Sequence, residues 1–308
     1  MDVVTRFLWW SGLETRHAVW GGVLRLIHSF VLAFVLVGFG FTLDPAPKRI
    51  ISLAPSLTET LFSLGLGDRV VGVTRYCDYP EEAKNCTQLG GILDPNLELI
   101  LALKPDLVVL LTAHKDLETR LKKVGLRTLS TPHQSLEDIH RTIELVGKAC
   151  HAQKEAEALL EDLANRRTAI KKLRSTNPTP NILVVLGRDA DTNSFEGMYL
   201  AGGKGFYHEL IELAGANNAW NEPGVSFPKL SAEGLLSLNP DGIIELVSRF
   251  DTKRTEEKVL ESWQTFAALD AVRQKHIAII AGDHALRPGP RYILFLEELA
   301  HVLTKWEN

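Results

Sequence analysis

Two stretches of this chain repeat one another, and the repeat limits the fold more than any other feature. ELILALKPDLVV begins at Glu98 and EGLLSLNPDGII begins at Glu233, an offset of 135 residues. Each reads glutamate, a short apolar helix, Pro-Asp and a β-branched run, with the proline seven residues after the glutamate. A repeat at this separation predicts two related lobes rather than one continuous domain. Between the copies, HAQKEAEALLEDLANRRTAIKKLR at 151 to 174 sets Ala152, Ala156, Leu159, Leu160, Leu163, Ile170 and Leu173 on one stripe at helical spacing. A helix of that length spans about 35 Å, enough to cross the back of two small lobes. The expected divisions are an N-terminal segment at 1–47, a lobe at 48–150, the interlobe helix at 151–175 and a second lobe at 176–308.

At 308 residues the chain has material for two lobes of ordinary size, each able to bury its own core. A net charge of -4 gives no electrostatic case for nucleic acid. Cys77, Cys86 and Cys150 show no CxxC spacing, and no His/Glu cluster or nucleophile–base pair of catalytic spacing stands out. No resident metal, no cofactor and no catalytic set is therefore expected. Cys77 and Cys86, nine apart across CDYPEEAKNC, are either two separate thiols or a disulfide closing a loop of about ten residues, worth roughly 2.5 kcal/mol in the chain-entropy model.

From Leu26 to Leu43 runs LIHSFVLAFVLVGFGFTL, eighteen residues without a formal charge, preceded by Arg25 and followed by DPAPKR. The run is long for a signal-peptide core and short for a spanning helix, so residues 1–47 read as a signal peptide or an N-terminal membrane anchor. Either reading places the remainder outside the cytoplasm. No cysteine directly follows the run to carry a lipid.

From Arg49 onward short β-branched runs alternate with helical stretches, which predicts an α/β fold of two Rossmann-like lobes. RIISLAPS, RVVGV, DLVVLL and LRTLSTP read as strands of the first lobe, and NILVVLG and HIAIIAG as strands of the second. Ser135 with Asp138 three residues on reads as a helix start, and a final amphipathic helix is expected from Pro290. Ligands in such lobes bind beyond the carboxyl ends of strands, so the loops that follow strands carry the candidates. Those loops hold Tyr76, His114, Arg188, Asp283, His284 and Arg287. Any one of them reads equally well as a solvated loop residue, but together they favour a binding cleft.

RIISLAPSLTETLFSLGLGDRVVGVTRYCDYPEEAK, GGILDPNLELILALKPDLVVL, FPKLSAEGLLSLNPD and GDHALRPGPR resemble the periplasmic cobalamin-binding proteins of ABC importers. These lie within the wider helical-backbone class, class III, of substrate-binding proteins, which also takes iron-siderophores and heme. The resemblance covers residues 48 to 306. It implies two α/β lobes joined by a long helix with little hinge motion, a monomer outside the cytoplasm, and delivery of a corrinoid to a permease with its ATPase subunits. An iron-siderophore or heme is the alternative ligand; related two-lobe folds also carry metal-dependent enzymes, for which this chain has no matching cluster. The resemblance places ligand contacts on Tyr76, Tyr199, Phe227, Asp283 and Arg287. Phe227 stands where cobalamin binders carry tryptophan, and Ile92 or a neighbour replaces a second one. His284, directly after Asp283, adds a candidate metal-coordinating imidazole, with a hydrogen-bonding loop histidine as the plainer reading. Glu98 and Glu233 match glutamates that, in the resembling family, meet arginines on a permease of two like subunits.

Overall fold

In the computed structural model, which describes residues 45–173, 179–188, 195–248 and 255–307, the β-branched runs become the centres of two sheets. The first comprises β1 (Ile50–Ser52), β2 (Val70–Val73), β3 (Thr87–Gln88), β4 (Leu107–Leu111) and β5 (Thr128–Thr131). All its pairings are parallel, in the order β3-β2-β1-β4-β5. The second comprises β6 (Asn181–Gly187), β7 (Met198–Leu200), β8 (Asn217–Asn218), β9 (Lys229–Leu230), β10 (Gly242–Val247) and β11 (Ile277–Ala281). Its order is β11-β10-β6-β7-β9, with β8 also on β6; β7 runs antiparallel to both neighbours. The expected mixture of two α/β lobes is therefore present, and the antiparallel strand is an addition too short to show a sequence period.

The first sheet is followed or interleaved by α1 (Pro55–Ser63), α2 (Leu97–Ala102), α3 (Lys115–Lys123) and α4 (Leu136–Cys150). Ser135 Oγ accepts from Asp138 N at 3.1 Å, the N-cap expected for α4. His151, at φ 57°, turns the chain into α5 (Gln153–Leu173), the long helix between the sheets. At Gly147 a Cβ would stand 2.6 Å from that of Ala156, so only glycine lets α4 and α5 approach this closely. The second sheet carries α6 (Phe206–Ala214), α7 (Ala232–Leu238), α8 (Glu256–Trp263), α9 (Asp270–Arg273) and α10 (Tyr292–Trp306).

Successive strand residues face opposite sides, so each sheet, built around buried parallel strands, has two apolar faces to cover. On the first sheet, Ile51, Val108 and Leu110 pack against Ile100 of α2 and Leu117 and Leu121 of α3. On the second, Leu183, Val185 and Ile243 pack against Leu235 of α7 and Val259 and Trp263 of α8. The other faces do not close separately. Ile50, Leu107 and Val109 share one cluster with Ile182, Val184, Ile244 and Leu246 through α1, α4, α5, α6 and α10. The expectation of two private cores is corrected, because the spine helix and its neighbours are wedged between the inner faces. Each fully buried Leu or Ile there contributes about 1.5–3 kcal/mol, and Ala46–Asn308 forms one compact unit. Arg166 of α5 clips α10 through two bonds to Glu297, at 2.8 and 2.7 Å.

The sequence repeat is a structural repeat. α2 feeds β4 and α7 feeds β10, and both helices end on a residue of positive φ, Lys104 at 46° and Asn239 at 39°. Asp106 then accepts from Arg49 N at 3.0 Å just ahead of β1, while Asp241 accepts from Asn181 N at 2.8 Å at the start of β6. Each aspartate ties down the chain where the neighbouring strand begins, one residue before β1 in the first lobe and at the first residue of β6 in the second. The apolar run at 26–43 lies outside the described residues; among those described, no helix is long and apolar enough to cross a membrane.

Candidate functional site

β1 and β4 are sheet neighbours whose connections depart in opposite directions, which opens a crevice at their carboxyl ends. Into it reaches the loop after β11, residues 282–291, from the second lobe. Gly289 packs so closely that a Cβ there would lie 3.3 Å from Ser56 Cα and 3.5 Å from Glu59 Oε2 of α1. The LTETL run of α1 buries Glu59 among leucines, and a buried carboxylate is costly unless paired. Arg291 pairs with it across the lobes, Nε to Oε2 at 2.9 Å and Nη2 to Oε1 at 2.5 Å, and its guanidinium lies 3.6 Å from the Tyr79 ring centroid.

Arg287, four residues earlier in the same loop, makes a second crossing. Its Nη1 donates to Asp78 Oδ1 at 2.6 Å and lies 3.5 Å from Glu59 Oε1, while Nη2 lies 3.5 Å from Asp283 Oδ2. Burial alone would lower the Arg287 pKa, but Asp78, Asp283 and Glu59 outweigh it and the net shift is upward. Asp283 is itself buried and accepts from Ser248 Oγ at 3.3 Å. The expected ligand residues Asp283 and Arg287 are thus brought together, in a cluster with three carboxylates and two guanidiniums. Glu59, Asp78 and Arg291 are additions to the expected set. A glutamate inside an apolar helix face was the available signal for the first.

The aromatic candidates are disposed differently. Tyr76, Tyr199 and Phe227 each present about half their surface to solvent, which is unusual for rings of this size outside a binding surface. The Arg75 guanidinium lies 5.9 Å from the Tyr76 centroid and Lys229 Nζ 4.7 Å from that of Tyr199. Phe227 meets buried Tyr207 edge-on at 6.4 Å and lines a cavity of about 140 Å³ shared with His133 and Gln134 of the first lobe and Pro288 of the crossing loop. That lobe junction is also stitched by Phe206 N to Gln134 O at 2.9 Å and Leu136 N to Glu209 Oε2 at 2.9 Å.

The expectation for one loop cation is corrected, and two open alternatives take their plainer form. Arg188 turns away from the loop tips and is buried in the second lobe, because its neighbour Glu245 on β10 requires a countercharge there. His284 Nε2 is 3.2 Å from Glu298 Oε2 of α10, so its imidazole takes the plainer of the two readings, a hydrogen-bonded loop histidine. Cys77 and Cys86 are free thiols rather than a disulfide. Each sulfur has its own partner, Thr74 Oγ1 at 3.0 Å for Cys77 and the Val70 carbonyl at 3.3 Å for Cys86. Burial raises both thiol pKa values, which keeps the sulfurs protonated and poorly reactive.

Glu98 and Glu233 are exposed, each in the first turn of its short helix. Because α2 and α7 each lead into the start of a parallel strand, their own N-termini lie toward the carboxyl edge of the sheets. Asn96 Oδ1 and Ser231 Oγ already cap these helices, accepting from Leu99 N at 3.1 Å and Gly234 N at 3.2 Å. The glutamates are not needed for capping.

Residues 50–283 match the family described as periplasmic binding protein. An uncharacterized ABC transporter substrate-binding lipoprotein of Bacillus subtilis, YvrC, is 31% identical over 85% of this chain and 82% of its own length. A vitamin B12-binding protein of Vibrio parahaemolyticus is 28% identical over 79% of this chain and 85% of its own length. Among solved structures, the apo form of the periplasmic heme-binding protein RhuT from Roseiflexus sp. RS-1 superposes with a TM-score of 0.71. It shares 27% identity, covering 85% of this chain and 99% of that one.

Proposed function

Because this chain belongs to the periplasmic binding protein family, we propose that it captures a corrinoid, cobalamin or a close relative, outside the cytoplasm and hands it to an ABC importer. One contrast in the cleft supports a corrinoid over an anionic iron chelate. Arg287, the cation expected to meet the ligand, is held by Asp78, Glu59 and Asp283, whereas Tyr76, Tyr199 and Phe227 each leave about half their surface exposed. A site of that kind recognises area and stacking more than charge, and a corrinoid offers a broad face rimmed with neutral amides. Asp283 and Arg287 then shape the floor, and the three rings line the walls. Heme is the second reading, favoured by the two exposed phenols, either of which could ligate ferric iron, and by Arg75 and Lys229 beside them.

Titration of the purified protein with cyanocobalamin, cobinamide, heme and a ferric siderophore tests the assignment. Binding of a corrinoid is expected, weakened about tenfold or more by Tyr76→Ala or Phe227→Ala. Tight heme binding without corrinoid binding overturns it.

The same reading assigns Glu98 and Glu233 to docking. They occupy matching positions, in the first turn of the equivalent helix of each lobe, and a permease of two like subunits presents its surface twice. Charge-assisted pairs with guanidinium groups would fix orientation there. Glu98→Ala with Glu233→Ala is expected to leave ligand affinity within about twofold while weakening docking and transport. Normal transport by that double variant overturns the docking role.

A further inference from the structure

The repeat holds five identities after alignment of Glu98–Asp106 with Glu233–Asp241, and the fold accounts for three of them. Leu103 and Leu238 pack against the outer cores, Pro105 and Pro240 are buried, and Asp106 and Asp241 tie down the strand starts. The remaining two are the glutamates and a leucine at i+3, Leu101 and Leu236. Both leucines are exposed, at 40% and 47%, although the residue just before each, Ile100 or Leu235, is fully buried. Residues three apart lie side by side on a helix surface, so each lobe displays a carboxylate next to an isobutyl group on one face.

A single exposed leucine is ordinary. Recurrence at the same position beside the same acid, in two lobes whose other exposed positions have diverged, is not. Leu99 provides the comparison: it is 41% exposed, yet its counterpart is Gly234, whose Cβ position is blocked by Leu230 at 2.4 Å. Nothing in the fold requires both helices to keep a leucine at the exposed site, and folding alone would favour a polar residue there.

We propose that Leu101 and Leu236 are the apolar halves of the two docking patches, each seating in an apolar socket beside the guanidinium that receives Glu98 or Glu233 on the importer's permease. The inference rests on the docking reading above. It adds a contact that survives high salt to one that salt screens, so orientation comes from the acids and residence from the leucines.

The test measures binding of the full-length protein to its permease–ATPase complex in nanodiscs, at low and high salt. Leu101→Ser with Leu236→Ser is expected to weaken docking about tenfold or more, and most severely at high salt, with Tm and cyanocobalamin affinity unchanged. Leu99→Ser is expected to dock within about twofold of wild type. If the leucine pair docks normally while the glutamate pair does not, this inference falls and the docking reading stands. If neither pair matters, the docking reading itself has failed, and this inference with it. Should the serine variants lose Tm, Leu101→Gln with Leu236→Gln keeps the side-chain bulk and is judged by the same outcomes.

Discussion

Arg188 and Glu245 form an ion pair from which solvent is excluded, Nε to Oε1 at 2.9 Å, with side chains 1% and 0% exposed. Glu245 is also held by Trp263 Nε1 at 2.7 Å, and Arg188 donates to Ser262 Oγ at 2.6 Å with its guanidinium 4.3 Å from the Phe195 centroid. Burial lowers the Arg188 pKa to about 10, which leaves it charged at neutral pH. Removing one partner strands the other charge. Arg188→Ala is therefore expected to destabilise the fold by about 3–5 kcal/mol in urea unfolding, while Arg188→Met with Glu245→Leu costs much less. Equal stability of Arg188→Ala and wild type would refute the assignment.

Three histidines share a direction. Burial lowers the pKa of His114, aided by His133, that of His133 against the pull of Asp138, and that of His140, aided by Arg167 against Glu137. Each folded value lies below the ordinary 6.5, so between the two the unfolded chain holds more protons and stability rises with pH. This contribution is complete above the unfolded value and is lost as pH falls below it. Melting temperature is expected to drop between about pH 7 and pH 5. Replacing the three with glutamine should flatten the decline, and an unchanged slope would show that other groups carry it.

Lys104 and Asn239 end equivalent helices in the left-handed region, where lysine is strained and asparagine is tolerated. Lys104→Asn is expected to stabilise the protein by up to about 1 kcal/mol. A loss of stability by urea titration would mean that the lysine side chain contributes something the backbone does not reveal.

Glu298 holds the His284 ring 3.2 Å away, which leaves the imidazole poorly placed to coordinate the metal of a bound ligand. His284→Ala is expected to leave the visible spectrum of bound cyanocobalamin, aquocobinamide or heme unchanged. A shift in the absorption bands would restore the coordinating role.

The parts of this fold legible in the sequence are those with a period or a repeat. β-branched runs marked β1, β4, β6 and β10, helical spacing marked α5, and the Glu-to-Asp repeat announced two lobes. What stayed hidden depends on contacts between distant segments. β7, β8 and β9 are two or three residues long and draw their pairing from neighbours. α8 opens in a polar stretch, and only its buried Val259 and Trp263 reveal which way it faces. Arg188 and Arg287 both read as loop cations free for a ligand, yet Glu245 claims one and Asp78 the other, across 57 and 209 residues of chain. Tyr76, Tyr199 and Phe227 are named by the family resemblance: Tyr76 lies beyond the end of β2, but Tyr199 is the central residue of β7 and Phe227 stands just ahead of β9, positions that no strand-end rule picks out.

The two crossings made by Arg287 and Arg291, with the Gln134–Phe206 stitch and the shared core behind them, have a kinetic meaning. Wide gaping would break several charge-assisted bonds together, so the lobes spend little time apart, and under the proposed function a ligand would come and go past the exposed rings. On that reading its arrival is an ordinary diffusional encounter and its dwell time reflects the ring contacts proposed above. Faster unloading requires an outside agent gripping both lobes at once, and the work it must do is that of parting Arg287 from Asp78 and Arg291 from Glu59.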